Sequence, residues 1–176
     1  MRRSLILLMA GLLILAPLYG HAATVGTATF AVANLTPDGV ARTVTITWTG
    51  DGSTGGVSGW VTDNITVPTA FCRSGATFGA SGCTLTEAIR GYYLLTVSTK
   101  PGTTAPTSYG ATWTDALGVD LFNGAVTSRS TSAAQSVNVQ TNQPLSGPYT
   151  FALSGQSTAS GTGTMVLYLL YSGVQQ

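Results

Sequence analysis

A strict alternation of apolar and hydroxyl side chains is the feature that most constrains how this chain can fold. Residues 43–49 read TVTITWT, so Val44, Ile46 and Trp48 share one side of an extended strand and four threonines share the other. β-Branched and aromatic residues suit a half-buried pleated surface, and threonine suits its solvated side. The segment therefore predicts a strand with one buried and one wet face.

The same two-residue period recurs along most of the chain, whereas a helical period is hard to find. Proline cannot donate to a sheet ladder, so Pro68 should end a strand that starts at Trp60. A glycine-rich turn is expected at residues 50–56, and one short helix at residues 84–89. Besides residues 43–49, we expect strands at residues 27–32, 60–67, 91–99, 109–114, 119–122, 136–140, 149–154 and 164–171.

The last of these strands contains the continuous apolar run MVLYLLY at residues 165–171. A strand that is apolar on both faces is usually buried on both, so we expect it at the centre of a sheet or under a neighbouring subunit. Eight or nine short strands separated by turns are typical of an all-β, single-domain β-sandwich or jelly-roll-like fold.

The first 22 residues have the layout of a secretory signal peptide. Arg2 and Arg3 precede an apolar run at residues 5–18, and small residues follow around His21. The run of roughly 14 residues is shorter than the ~20 that a membrane-spanning helix needs. We therefore expect residues 1–22 to be removed, leaving residues 23–176 as one domain that is secreted, periplasmic or at the cell surface, with no membrane span.

The expected mature chain carries little charge and no histidine, because His21 is the only one. Five basic residues stand singly against six acidic ones, for a net charge of −1. Without a basic patch, binding to nucleic acid is disfavoured. A chain this close to neutral gains little protection from charge repulsion, so self-association or assembly with other structural proteins is favoured.

Cys72 and Cys83 are the only cysteines. In an exported chain such a pair predicts a disulfide, here closing a glycine- and serine-rich loop over residues 72–83. The alternative is a zinc site, but zinc takes about four ligands and this chain offers two thiols without histidine. The sequence thus predicts a disulfide, no metal site and no cofactor.

No residues assemble into a convincing catalytic motif. Asp115 and Asp120 could act as the carboxylate pair of a glycosidase, but they flank a glycine-containing turn, where aspartate commonly binds its own backbone. Asp38 is predicted to be a turn residue for the same reason. A serine nucleophile needs a neighbouring base, and Lys100, the only lysine, abuts Pro101 in a predicted turn. We therefore expect a protein that is not an enzyme and has no catalytic residues.

The three tryptophans leave a second class of function open. Trp48, Trp60 and Trp113 could form an aromatic platform for sugars, which would make the chain a secreted carbohydrate-binding module. The phase of Trp48 with Val44 and Ile46 favours core packing for that ring instead.

The second half of the chain carries a series of short motifs in a fixed order. They are Gly91-Tyr92-Tyr93, Pro101-Gly102, Ala105-Pro106-Thr107, Thr114-Asp115-Ala116, Gly118-Val119-Asp120, Gly124, Arg129-Ser130 and the apolar strand at residues 163–171. In these features the chain resembles small all-β proteins encoded among the virion structural genes of tailed phages and prophages. The resemblance is better over residues 88–171 and looser over residues 24–60. It implies a structural or decoration role, with association into particles and no catalytic residues to carry over.

Two hypotheses of function follow. The first is a non-enzymatic structural or surface-assembly subunit, either phage-virion-like or filament-like. In a pilin-type variant, residues 27–32 would be the strand exchanged between subunits. The second hypothesis is the carbohydrate-binding β-sandwich module.

Overall fold

A computed structural model describes residues 26–51, 58–72, 82–155 and 158–173. The predicted signal peptide, most of the 50–56 turn and most of the cysteine loop lie outside the described residues. Two short 3-10 helices are present, at Thr62–Asn64 and Thr69–Phe71. The other elements are β1 (Thr27–Asn34), β2 (Ala41–Asp51), β3 (Ser58–Val61), β4 (Thr66–Val67), β5 (Cys83–Thr84), α1 (Leu85–Ile89), β6 (Tyr92–Pro101), β7 (Gly110–Thr114), β8 (Gln135–Asn138), β9 (Thr150–Ser154) and β10 (Ala159–Tyr171).

The strands form two main antiparallel sheets, which confirms the all-β prediction. One sheet has the order β1-β2-β10-β6-β8, the second has the order β3-β9-β7, and β4 pairs with β5. Aromatic rings join the two sheets: Phe30 of β1 meets Phe151 of β9 edge-on at 6.1 Å between ring centroids. Trp48 of β2 meets Tyr109, which precedes β7, at 5.0 Å. The core therefore lies between the sheets, as in a sandwich.

Alternation places three threonines of β2 on the partly or fully exposed side as predicted, whereas Thr43 is buried. Val44, Ile46 and Trp48 are buried against the second sheet, whereas Thr47 is exposed on the outer face. β10 lies next to β2 in continuous antiparallel register from Thr162 to Leu170, so buried residues of one strand sit beside buried residues of the other.

The final strand is central, as predicted, but only one of its faces is buried. β10 runs between β2 and β6, with Met165, Leu167 and Leu169 in the core. Tyr168 is half-buried, and Leu170 is 41% exposed. No described element of this chain covers the outer face of this sheet, so burial of that face under a neighbouring subunit stays a prediction.

The predicted strand at residues 60–67 is broken in two. This break contributes to a total of ten strands among the described residues, rather than the eight or nine expected. A 3-10 turn at Thr62–Asn64 separates β3 from β4. The buried Thr62 hydroxyl accepts a hydrogen bond from the Tyr149 N–H at 2.9 Å and shares another with the Thr86 hydroxyl at 2.6 Å. These hydrogen bonds join residues that are far apart in the sequence. They stabilise the 3-10 turn, although the residues on either side of it favour a strand.

The predicted helix forms as α1 and starts with a complete capping box. The Thr84 hydroxyl accepts from the Glu87 N–H, and the Glu87 carboxylate accepts from the Thr84 N–H. This reciprocal pair satisfies two backbone donors that a helix start otherwise leaves unpaired. Four of the five residues of α1 are buried, so the helix packs in the core cluster.

The predicted disulfide is present between Cys72 and Cys83, with 5.8 Å between the two Cα atoms. It links the end of the Thr69–Phe71 helix to β5. Cys83 is buried and Cys72 is partly buried, so the bond anchors the cysteine loop to the core cluster.

We predict that replacing both cysteines by alanine lowers the free energy of unfolding by roughly 3 kcal/mol, because the unfolded chain regains loop entropy. Denaturant unfolding measures this loss. Adding reductant to the unaltered protein should give a similar loss. The intact mass of the oxidised protein should be lower than that of the reduced protein by two hydrogen atoms. Equal stability with and without reductant would contradict a structural role for the bond.

We also predict that Gly163→Ala destabilises the protein by about 1–3 kcal/mol through overpacking. A Cβ at Gly163 would overlap the buried Trp48 ring. Gly147→Ala is the matched control, because a Cβ there meets no atom within 4 Å. Denaturant midpoints of the two variants should differ clearly; equal midpoints would show that Trp48 can move aside freely.

Candidate interaction surface

Four strand edges are candidates for contact with another chain, because edge strands carry unpaired N–H and C=O groups. The five-stranded sheet ends at β1 and β8, and the three-stranded sheet ends at β3 and β7. These four edges differ in how far they are protected.

The edge at β7 is closed by the loop that follows it. The Ala111 N–H donates to the Val126 carbonyl, and the Leu121 N–H donates to the Trp113 carbonyl, both at 2.8 Å. The Arg129 N–H donates to the Tyr109 carbonyl at 2.6 Å. These bonds use backbone groups that a neighbouring strand would otherwise need.

The edges at β3 and β8 are short. Each strand has four residues, and the pairing of β3 with β9 shifts register between Ser58 and Trp60. Short and irregular edges are common protections against pairing with another chain.

The edge at β1 lacks these protections. β1 has eight residues, TATFAVAN, without lysine, proline or a register shift against β2. Among the described residues, its only ladder partner is β2. The Thr69–Phe71 helix approaches the Asn34 end, where Arg42 hydrogen-bonds both Asn34 and Phe71. The remaining length of β1 is a long, regular edge whose outward-facing side chains are small.

The outer face of the five-stranded sheet is lined with hydroxyl groups. Thr29 of β1 lies opposite Thr47 of β2, and Thr47 lies opposite Thr164 of β10. Farther across the sheet, the hydroxyls of Ser98 and Ser136 share a hydrogen bond at 2.6 Å. β1 therefore borders a hydroxyl-rich face on one side and the apolar core on the other. The same outer face also carries the exposed Lys100, which lies opposite Thr164.

Asp115 and Asp120 are bound by their own backbone. One Asp115 oxygen accepts from the Leu117 and Val119 N–H groups, each at 2.9 Å. Asp120 accepts from the N–H groups of Trp113, Phe122 and Gly124 at 3.0–3.1 Å. Both carboxylates thus stabilise a turn, as the sequence predicts.

The strand predicted at residues 119–122 is wrong. Only an isolated bridge joins Thr114 and Asp120 there, and the chain then turns. Three backbone N–H groups donate to the Asp120 carboxylate instead of to the carbonyls of a neighbouring strand. Asp38 has a similar local role: hydrogen bonds from the Thr36 hydroxyl and the Val40 N–H hold the pKa of its carboxyl below its usual value.

Two of the three tryptophans cannot form an exposed platform. Trp48 and Trp113 are each 1% exposed in the core. Trp60 is partly buried and packs against Phe30 and Phe151. The core position of Trp48 agrees with its sequence phase.

Sequence analysis missed two buried arginines. The Arg42 guanidinium donates to the carbonyls of Phe71 and Ala88 and lies 4.9 Å from the centroid of the Tyr92 ring. The phase of Arg42 with Val44 could have identified it as inward-facing. Arg129 has no comparable signal, since it follows an irregular loop.

Arg129 and Tyr109 share a buried region of the core. The Arg129 Nε donates to the Thr99 hydroxyl at 3.2 Å. Burial raises the pKa of the Tyr109 phenol, an effect that the nearby Thr99 hydroxyl and Arg129 guanidinium partly oppose. The Thr99 hydroxyl nevertheless lies outside ordinary hydrogen-bond geometry with Tyr109, whose hydroxyl has no partner among the described residues.

The described residues contain no group of three or more histidine, cysteine, aspartate or glutamate side chains that could hold a metal ion. No helix within the described ranges is long and apolar enough to cross a membrane. No protein-family model, curated protein or solved structure matches this chain.

We predict that Asp120→Ala lowers the free energy of unfolding by about 1–3 kcal/mol, because three N–H groups lose their acceptor. Asp115→Asn should cost less, since the amide oxygen still accepts hydrogen bonds. Thermal or denaturant unfolding measures both. A well-folded Asp115→Asn protein that has lost all biological function would contradict the structural role of this turn.

Proposed function

We propose that this chain is an exported, non-enzymatic structural subunit that assembles with copies of itself through the edge of β1. The assembly would be a phage-like particle or a surface filament. The observation that carries the proposal is the contrast among the four edges: three are short, irregular or hydrogen-bonded to the chain itself, whereas β1 is long and regular.

The chemistry of β1 favours close pairing with an identical strand. Thr27, Thr29, Ala31 and Ala33 are exposed on its outer side. None of them is charged, so a second β1 can approach without repulsion or desolvation of an ion. Antiparallel pairing of two β1 strands would satisfy the free backbone groups of both and extend the hydroxyl face from one subunit to the next.

Strand exchange is the filament-like variant of the same proposal. The apolar residues of β1 fill a defined place, since Phe30 packs against Trp60 at 6.4 Å and Phe151 at 6.1 Å between ring centroids. The β1 strand of a neighbouring subunit could fill that place identically. The small number of charged residues supports either route, because assembled surfaces do not need charge repulsion.

The carbohydrate-binding module based on a tryptophan platform is the weaker hypothesis for this fold. Burial of Trp48 and Trp113 leaves only Trp60 partly accessible. A role for glycans therefore needs a different surface of the molecule.

We predict that Thr29→Lys reduces assembly at least about tenfold, because lysine on an edge strand opposes pairing with another chain. The matched control is Thr47→Lys, which adds the same charge to the same outer face one strand farther from the edge. Sedimentation velocity of the exported protein measures the assembled fraction, and circular dichroism checks that both variants fold. Equal assembly of the two variants would contradict the role of β1.

A second measurement locates the protein in its source. Density-gradient fractions of culture medium should contain the chain together with particles or filaments, which microscopy of the same fractions would identify. Recovery only as a light monomeric species would contradict assembly.

A further inference from the structure

A groove with both polar and apolar lining residues lies apart from the β1 edge. Its walls are the turn at residues 115–123 and the segment at residues 139–149, and its volume is about 680 Å³. The groove contains no part of β1 and none of the tryptophans.

Both walls are held in place by backbone hydrogen bonds. The Val139 and Gln140 N–H groups donate to the Leu95 carbonyl, and the Thr141 N–H donates to the Leu94 carbonyl. The opposite wall is fixed by Asp115 and Asp120 through the backbone bonds described above. The groove is therefore largely pre-formed, which reduces the entropy that a ligand must overcome.

Four carboxamide side chains line the groove and are exposed: Asn123, Gln140, Asn142 and Gln143. None of them hydrogen-bonds to another described residue. The two carboxylates in the lining already accept five backbone N–H groups between them. The polar part of the lining thus offers mainly neutral groups that both donate and accept hydrogen bonds.

The backbone at two of these amides is strained. Asn123 has φ 48° and Gln140 has φ 35°, in the left-handed region that most residues with a side chain avoid. Asparagine tolerates this region through its short polar side chain, but glutamine gains no such help. Strain of this kind is concentrated at binding and switch sites, where surrounding contacts hold it in place.

Two exposed apolar side chains, Leu117 and Val119, also line the groove, and together they are called the apolar lip. Leu117 is 89% exposed and Val119 is 58% exposed, the two highest values among the large apolar residues that the structure describes. A ligand that contacted the lip and the amides together would present an apolar face next to a row of hydrogen-bonding groups.

We infer that this groove binds a neutral oligosaccharide. The hydroxyls of a sugar both donate and accept, as carboxamides do, and the C–H face of a pyranose ring matches the apolar lip. An extended peptide fits less well, because peptides commonly bind by pairing with a free sheet edge, and the groove walls are turns whose backbone groups are already bonded. The inference is independent of assembly through β1 and would give an assembled subunit a means of attachment to a glycan surface.

The test uses the exported protein with cellohexaose, maltohexaose, chitohexaose and mannohexaose as probes, in isothermal titration. We expect at least one probe to bind. The double variant Asn142→Ala with Gln143→Ala should bind that probe at least about tenfold more weakly, through loss of hydrogen bonds. Leu117→Ala should weaken binding by a smaller factor.

Asn64→Ala is the matched control, because Asn64 is an exposed amide outside the groove lining, and it should bind like the unaltered protein. Unfolding midpoints and sedimentation of the double variant should match those of the unaltered protein, which separates this test from that of assembly. The inference is overturned if no probe binds at millimolar concentration, if the double variant binds normally, or if peptides compete for the groove and bind more tightly than every sugar.

Discussion

The antiparallel pairing of β2 with β10 sets the geometry on which the rest of the molecule depends. It places Gly163 beside Trp48, and the missing side chain at Gly163 makes room for the indole ring. With that ring in place, Tyr109 packs against it from the second sheet. A shift of one residue in the pairing of β2 with β10 would turn the threonines of β2 toward the core and its apolar residues toward the outer face. The same register therefore determines both the core and the hydroxyl-rich outer face.

Periodicity in the sequence was enough to predict most of this arrangement. The strands that became β1 and β2 alternate clearly, because one face of each is buried, whereas β10 was predicted from its continuous apolar run at residues 165–171. Residues 60–67 do not form one strand, although their sequence alternates. The Thr62 hydroxyl hydrogen-bonds to Tyr149 and Thr86, which lie far away in the sequence, and a 3-10 turn forms there instead. Residues 119–122 are likewise apolar enough for a strand. They form a turn instead, because the Asp120 carboxylate accepts hydrogen bonds from three nearby backbone N–H groups. The groove between residues 115–123 and 139–149 could not be predicted from the sequence. The first wall follows β7 and the second hydrogen-bonds to β6, so only the packing of these strands brings the walls together.

The two surfaces of interest follow from the same sandwich in different ways. β1 is an edge because the five-stranded sheet stops there, and its regularity comes from a hairpin with β2 that contains no bulge. The groove arises where loops leave the sheets, between the turn that follows β7 and the segment that follows β8. Regular pairing thus favours contact with another strand, whereas the loops create a concave surface for a smaller ligand.

The way Arg129 is buried bears on how the core responds to its surroundings. Its guanidinium donates to the Thr99 hydroxyl and the Ala125 carbonyl, and neither acceptor gains or loses a proton between acid and neutral pH. Mobile ions screen these short, enclosed contacts far less than they screen charges at the surface. Contacts of this kind around Arg129 should persist when acidity and ionic strength change.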